Sequence, residues 1–290
     1  MRHVEVIENI PIPVPPAAEQ KVIADYLDRE TARVDALVAE KEKMLALLEE
    51  KRAALISRAV TRGLDPNVPT KPSGLDWLGD IPAHWEIWRL KYLADVRGGL
   101  TLGKKYSRND LVEMAYLRVA NVQDGYLKLG DMQTVEVTPE EAENYLLQYG
   151  DVLMNEGGDI DKLGRGCVWR EEVNPCLHQN HVFSVRLHHV DPEWIAFWSS
   201  TLQAKRYFAQ RAKRSTNLAS ISGTNIKELP VPMPPENGRT RIKNYIGDFT
   251  KKIASVQFET QHSIDLLKER RTALITAAVT GQIPIDEMRE

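Results

Sequence analysis

Two stretches of this chain carry one pattern of apolar and polar positions. From Glu19 to Arg62, Ile23, Leu27, Val34, Leu37, Met44, Leu48 and Leu55 recur at spacings of three and four, interrupted by Glu30, Lys41 and Lys51. Near the end of the chain, Ile242, Ile246, Phe249, Ile253, Val256, Leu267 and Leu274 repeat the pattern, broken at Thr260, Ser263 and Arg270. Heptad-like spacing over this length, with charges outside the seam, predicts coiled-coil helices and not core helices of a globular domain. At 1.5 Å per residue, about 40 residues make a rod of roughly 60 Å. Gly63 and Gly281 are natural stops.

A proline-rich lead-in precedes each helix: Ile10-Pro11-Ile12-Pro13-Val14-Pro15-Pro16 and Leu229-Pro230-Val231-Pro232-Met233-Pro234-Pro235. Proline fixes φ and removes a backbone donor, so both lead-ins are expected to be extended. The two copies match without a gap, ending at Arg52–Thr61 and Arg271–Thr280. One supersecondary unit is thus used twice. Each helix alone exposes an apolar stripe, and the simplest solution is that the two pack together. They run antiparallel if the region between them reverses the chain.

That region predicts an α+β domain. Tyr116–Val122, Asp151–Met154, Gly166–Trp169 and Val182–Leu187 read as strands, separated by turn signals at Asp124-Gly125 and Gly157-Gly158. Pro192–Arg211 reads as one helix, with Trp194, Phe197, Trp198, Leu202 and Phe208 on its apolar side. The expected organisation is a residual tail and lead-in (1–18), a first helix (19–64), a proline-rich linker (65–75) and an α+β domain (76–228). A second lead-in (229–237) and a second helix with its tail (238–290) complete it.

The net charge of −3 over 290 residues favours no particular partner, but a nucleic-acid binder needs only a local basic surface. Lys205, Arg206, Arg211, Lys213 and Arg214 crowd one stretch, and Glu136, Glu140, Glu141 and Glu143 another. The two cysteines, Cys167 and Cys176, fit no common zinc spacing and suggest a reducing compartment. The first residues lack the apolar core of a signal peptide, and no apolar run is long enough to span a bilayer. The expected location is cytoplasmic, with no membrane partner.

Candidate chemistry is sparse. Gly98–Lys105 approaches a P-loop, but Lys105 stands where the magnesium-binding hydroxyl belongs. A basic turn touching phosphate and a plain hairpin with solvated lysines are the competing readings. His178 and His181 lack a third metal ligand at a sensible spacing. Between them, Gln179 and Asn180 carry amides able to pair with adenine, although turn structure alone also explains them. Glu156–Gly166 holds three carboxylates beside Lys162 and Arg165 among four glycines. A binding loop suits this mixture better than a catalytic one, and a self-neutralised turn is the bland alternative. Arg211–Leu218 offers basic and small polar groups for phosphate, or a solvated helix end. No adenine-methyltransferase tetrapeptide, cofactor-type glycine-rich strand end or nuclease carboxylate–lysine set is evident. The sequence does not read as a complete enzyme.

With these residues in view, the chain resembles the specificity subunits of type I restriction–modification systems. The resemblance rests on Ile10–Gln20, Leu55–Pro66, Gly79–Glu86, Gly158–Gly166, Leu177–Phe183 and Thr216–Ile221, and it covers almost the whole chain. Family members alternate recognition domain and conserved helix twice. Here only a few residues precede the first conserved helix, so the first recognition domain is expected to be missing, by truncation or by natural design. The resemblance implies a target-recognition domain flanked by two long conserved helices forming a coiled coil. It also implies a non-catalytic chain that reads double-stranded DNA. Modification subunits would methylate adenine with S-adenosylmethionine, and restriction subunits would add chemistry driven by ATP and magnesium. No cofactor is expected on this chain.

The leading expectation is therefore recognition of one half-site. Lys104, Lys105, Lys213 and Arg214 would position phosphates, with Asn217 beside them, while Lys162, Arg165, Gln179 and Asn180 would read bases. Self-association of two chains would give a palindromic, interrupted target. The alternative is a coiled-coil protein scaffold without sequence-specific DNA binding, and an NTPase or nuclease is the remaining reading.

Overall fold

A computed structural model describes residues 14–104, 106, 110–214 and 218–289. The first proline-rich lead-in, Lys105 and Asn217 lie mostly or wholly outside these residues. The described chain divides into two compact units, one within Met1–Arg52 and Thr250–Glu290, the other Ala53–Phe249.

The first unit is built from most of helix α1 (Ala17–Arg62, 46 residues) and of helix α6 (Glu236–Val279, 44 residues). They run antiparallel. Arg271 donates to Asp35 at 2.9 Å, Lys268 approaches Glu42 at 3.7 Å and Gln257 donates to Glu49 at 2.5 Å, so one number rises as the other falls. Val34, Ile253 and Ile264 are buried. The apolar pattern is wider than this pair consumes: Leu37, Met44, Leu47, Val256, Phe258 and Leu266 remain exposed.

The second unit is the α+β head. Gly63, with φ 76°, stops α1, and its N–H donates to the Ala59 carbonyl at 3.0 Å. Strands β1 (Thr70–Pro72) and β2 (Asp80–Pro82) then pair antiparallel. The segment expected to be a plain linker is thus partly a strand. Strand β3 (Glu86–Arg89) leads into β4 (Ala94–Arg97), β5 (Val112–Leu117), β6 (Gln133–Val137) and the short helix α2 (Pro139–Tyr145). The strand expected at Tyr116–Val122 is displaced towards the N-terminus. Asn121 bends the chain there: its Oδ1 accepts from the Arg118 N–H at 2.9 Å and its amide donates to the Lys128 carbonyl at 2.9 Å.

Strands β7 (Val152–Asn155), β8 (Gly157–Gly158), β9 (Gly166–Val168), β10 (Cys176–His178) and β11 (Val182–Leu187) follow. A four-stranded antiparallel sheet has the order β4-β11-β7-β9, and a three-stranded sheet the order β10-β5-β6, with β10 parallel to β5.

The single helix expected over Pro192–Arg211 is two helices, α3 (Pro192–Ser200) and α4 (Leu202–Arg211). Thr201 causes the break: its backbone is extended, and its hydroxyl oxygen accepts from the Ala204 N–H at 3.2 Å. The energy of a threonine cap, about 1 kcal/mol, outweighs one more residue of helix here. Leu202, expected on the apolar side, is 57% exposed as a result.

Strands β12 (Lys213–Arg214) and β13 (Ala219–Ser220), helix α5 (Gly223–Lys227) and strand β14 (Pro230–Met233) lead to α6. The second lead-in is extended as expected, and it pairs antiparallel with β3. A two-stranded ladder tolerates Pro230 and Pro232 because each strand needs donors on one side only.

The head's core joins Trp85, Trp194, Trp198, Tyr207 and Phe208 to Ile56, Ala59 and Val60 of α1 and to Ile242 and Ile246 of α6. Trp85 meets Trp194 edge-on at 6.1 Å, and the Trp194 indole N–H donates to the Pro232 carbonyl at 3.0 Å. Apolar burial on this scale holds the sheets that carry the site.

Candidate nucleic-acid interface

Antiparallel pairing of β7 with β11 sets Val182 against Asn155, so the next residues outward, Glu156 and His181, stand opposite one another. The Glu156 N–H donates to the His181 carbonyl at 2.9 Å, and the Ile221 N–H donates to the Glu156 carbonyl at 2.9 Å. Beyond Glu156, β8 takes its place in a small sheet of order β12-β13-β8. Gly157 fits closely there, since a Cβ would lie 3.2 Å from the Ala219 carbonyl oxygen. Gly158 has φ 143°, a conformation open to glycine alone, and its Cβ direction is empty.

These segments enclose an open groove of about 560 Å³, lined among others by Val119, Glu156, Gly158, His181, Lys213, Arg214 and Leu218. Lys213 and Arg214 are exposed, and neither has an ion-pair partner among the described residues. The His181 Nδ1 lies 2.5 Å from Glu156 Oε2, and its Nε2 lies 3.4 Å from the Asn180 amide nitrogen.

The structure separates the other sequence candidates. Lys104 is ion-paired with Glu141 of α2, which also accepts from the Tyr106 hydroxyl at 2.6 Å. The Lys104 ammonium, then the Tyr106 hydroxyl, hold the Glu141 carboxyl below the usual carboxylate range. Lys162 pairs with Asp159 and lowers that carboxyl in the same way. Arg165 is half-buried, and its carbonyl accepts from the Asn155 N–H at 2.9 Å. Gln179 uses its side-chain oxygen to accept from the Val119 N–H at 3.2 Å, so its amide positions the groove wall. Asn180 sits beside His181, and its backbone N–H donates to the Leu100 carbonyl at 3.0 Å. Gly98–Lys104 is strapped to this segment, and among the described residues no helix follows it before β5, where a P-loop would open one. Of the nine candidates, Lys213 and Arg214 line the groove, Asn180 and Gln179 border groove residues, and Lys105 and Asn217 lie outside the described residues.

Sequence reasoning missed Glu156 and His181 as a pair. The signal was present in strand register: two adjacent antiparallel strands ending at Asn155 and beginning at Val182 bring them together.

Neither histidine belongs to a metal cluster; no group of three His, Cys, Asp or Glu suited to a metal ion occurs among the described residues. His178 is buried, and its Nδ1 donates to the Val182 carbonyl at 2.7 Å. Burial pushes the ring's pKa below its ordinary value, keeping it neutral. The two cysteines are free and buried, and burial pushes both thiols up to about 12, which removes thiolate reactivity. No described helix is long and apolar enough to cross a membrane.

An α+β head carrying a cationic groove, with one long helix before it in the sequence and another after it, is the class of architecture seen here. The chain belongs to the type I restriction modification DNA specificity domain family, whose pattern matches residues 82–272. Over 280 residues it is 25% identical to the type I restriction enzyme EcoKI specificity subunit of Escherichia coli K12, covering 94% of this chain and 58% of that protein. It is 30% identical over 161 residues to the MjaVIII specificity subunit of Methanocaldococcus jannaschii, covering 56% of this chain and 34% of that one. The fold matches a chain of a type I R-M system solved for its complex assembly and conformational transition, with TM-score 0.68, 16% identity and coverage of 92% and 60%. It also matches the HsdS subunit of Thermoanaerobacter tengcongensis, with TM-score 0.51, 15% identity and coverage of 94% and 60%. The chain thus spans about three fifths of the length of the EcoKI subunit and of both solved chains.

Proposed function

We propose that this chain is the non-catalytic DNA-reading component of a type I restriction–modification complex and that its head reads one half-site. The observation that carries this reading is the groove where exposed Lys213 and Arg214 meet Glu156 and His181 over a glycine-floored sheet. Exposed cations with no ion-pair partner among the described residues suit phosphate, and polar groups between them suit base edges. Lys162 and Arg165, on the turn after β8, and Asn180 remain further candidates for base contact, and Lys104, Lys105 and Asn217 for phosphate.

Lys213→Ala with Arg214→Ala is expected to weaken binding of all duplexes alike. It should make the slope of log affinity against log salt shallower by about 2, one phosphate being lost per cation. Fluorescence anisotropy of the complex across a salt series checks this, and an unchanged slope with unchanged affinity would remove the groove from the DNA interface.

Methyl transfer belongs, in this reading, to modification subunits carrying S-adenosylmethionine, and cleavage to restriction subunits using ATP and magnesium. The exposed Leu37, Met44, Leu47, Val256, Phe258 and Leu266 give modification subunits an apolar helical surface to cover. A pure protein scaffold is the competing reading; it predicts no sequence preference in the same binding experiment.

The repeat supports self-association. In the head unit, Val60 is fully buried and Ile246 of the second copy is buried with it in one core. Their counterparts in the repeat are Val279, 46% exposed, and Leu27, only half-buried. A second copy of the chain would cover this end and present two identical readers to an interrupted palindrome. Light scattering should give twice the mass of one chain; a monomer at high concentration, with modification subunits also present, would exclude the pairing.

A further inference from the structure

We infer that His181, oriented by Glu156, is a specificity-determining residue that accepts a hydrogen bond from the exocyclic amino group of a DNA base, cytosine N4 or adenine N6. The inference rests on the DNA-reading role proposed above and narrows it to a chemistry.

A carboxylate only accepts, so the 2.5 Å contact with Glu156 Oε2 places the proton of the neutral ring on His181 Nδ1. With that single proton on the ring, the other nitrogen, Nε2, is an acceptor. Its 3.4 Å neighbour, the Asn180 amide nitrogen, is a donor and agrees with that tautomer. Both backbones are fixed by the main-chain hydrogen bonds that tie Glu156 to His181 and Ile221, so the pair is held before any ligand arrives. The imidazole is accessible, with 56% of its side chain exposed, while Glu156 is more enclosed at 27%.

The pair therefore presents acceptors: Nε2 and the second carboxylate oxygen. In a major groove, cytosine and adenine offer an amino donor, whereas guanine O6 and N7 and thymine O4 offer lone pairs. The first match gains a hydrogen bond. The second sets lone pair against lone pair in a partly desolvated site, which selects against it. Lys213 and Arg214, on the same groove, can hold the backbone while the dyad tests the base. Empty space at the Gly158 Cβ position lets the duplex come close.

The test uses the full chain in complex with modification subunits and a duplex library randomised across the target, with bound sequences read out. The wild-type complex should enrich a motif with cytosine or adenine at one position, and the enriched base tells the two sources apart. His181→Ala should lower preference at that position by about tenfold or more while the remaining motif persists. The isosteric Glu156→Gln introduces a donor and should admit guanine or thymine at the same position. Thermal melting identifies the variants that fold, and Glu156→Gln serves if His181→Ala does not. If the wild type enriches a motif that both variants leave unchanged at every position, the inference falls while the DNA-reading role stands. The same follows if the affected position prefers guanine or thymine in the wild type. A wild-type complex that enriches nothing overturns both.

Discussion

Gly166→Ala is expected to abolish the folded head or to lower its stability by at least about 4 kcal/mol, in the range reserved for severe single-site damage. Gly166 opens β9, where it is paired with Met154 of β7. A Cβ at this position would lie 1.6 Å from the Leu153 carbonyl oxygen and 2.7 Å from the carbonyl carbon. These are backbone atoms of a buried strand, so no rotamer relieves the clash, and the two strands must separate. Separation would disturb the strand that ends at Asn155 and sets Glu156 in the groove. For a head of this size, such a loss corresponds to a fall in Tm of roughly 10 °C or more. Gly130→Ala is the matched control, because nothing lies within 4 Å of its Cβ position and its φ is not in the left-handed region. It should change stability by about 0.5 kcal/mol at most. Calorimetry on both variants checks the contrast, and a Gly166→Ala head melting within a few degrees of wild type would show that β7 and β9 are not held as described.

Asp151→Ala is expected to cost about 3–5 kcal/mol, the penalty for stripping one partner from a buried ion pair. The Asp151 side chain is only 1% exposed, and Arg186 grips it with two bonds, Nε to Oδ1 at 2.8 Å and Nη2 to Oδ2 at 2.7 Å. The Gln148 N–H donates to the same carboxylate at 3.0 Å. The hydrogen bond to Asp151 holds the Arg186 guanidinium above its ordinary pKa. Alanine leaves that guanidinium, only 22% exposed, without its anion. Adding Arg186→Met should restore a large part of the loss, since an apolar side chain of similar length needs no counter-charge. Urea unfolding of the two single variants and the double variant measures the coupling. A single-variant cost below 1 kcal/mol would show that the pair does not hold β11 in register.

The parts of the fold that sequence exposes are those in which local preference and global packing agree. Val182–Leu187 is apolar, β-branched and short, and it forms the expected strand at the expected residues. The two long helices were legible because a pattern repeated at fixed offset averages out local exceptions. The misses have local physical causes. Asn121 spends its amide on a turn and ends a strand that its valine neighbours would have continued. Thr201 caps a new helix where the apolar pattern runs straight on. Pro230 and Pro232 mark an extended lead-in, but only the structure reveals β3 as its partner. The site divides in the same way. Lys213 and Arg214 were visible as a charge cluster, whereas His181 and Glu156 meet through strand register, and Gln179 proves to brace a wall.

The floor beneath the dyad is joined by main-chain bonds between Gly157-Gly158 and Ala219-Ser220, with little dependence on what neighbouring side chains are. Chemical identity at the rim is thereby uncoupled from mechanical integrity below it. If the DNA-reading role proposed for this groove holds, such a surface would tolerate exchange of its reading groups, and new targets would become reachable through a few substitutions at positions 156, 180 and 181, without rebuilding the scaffold.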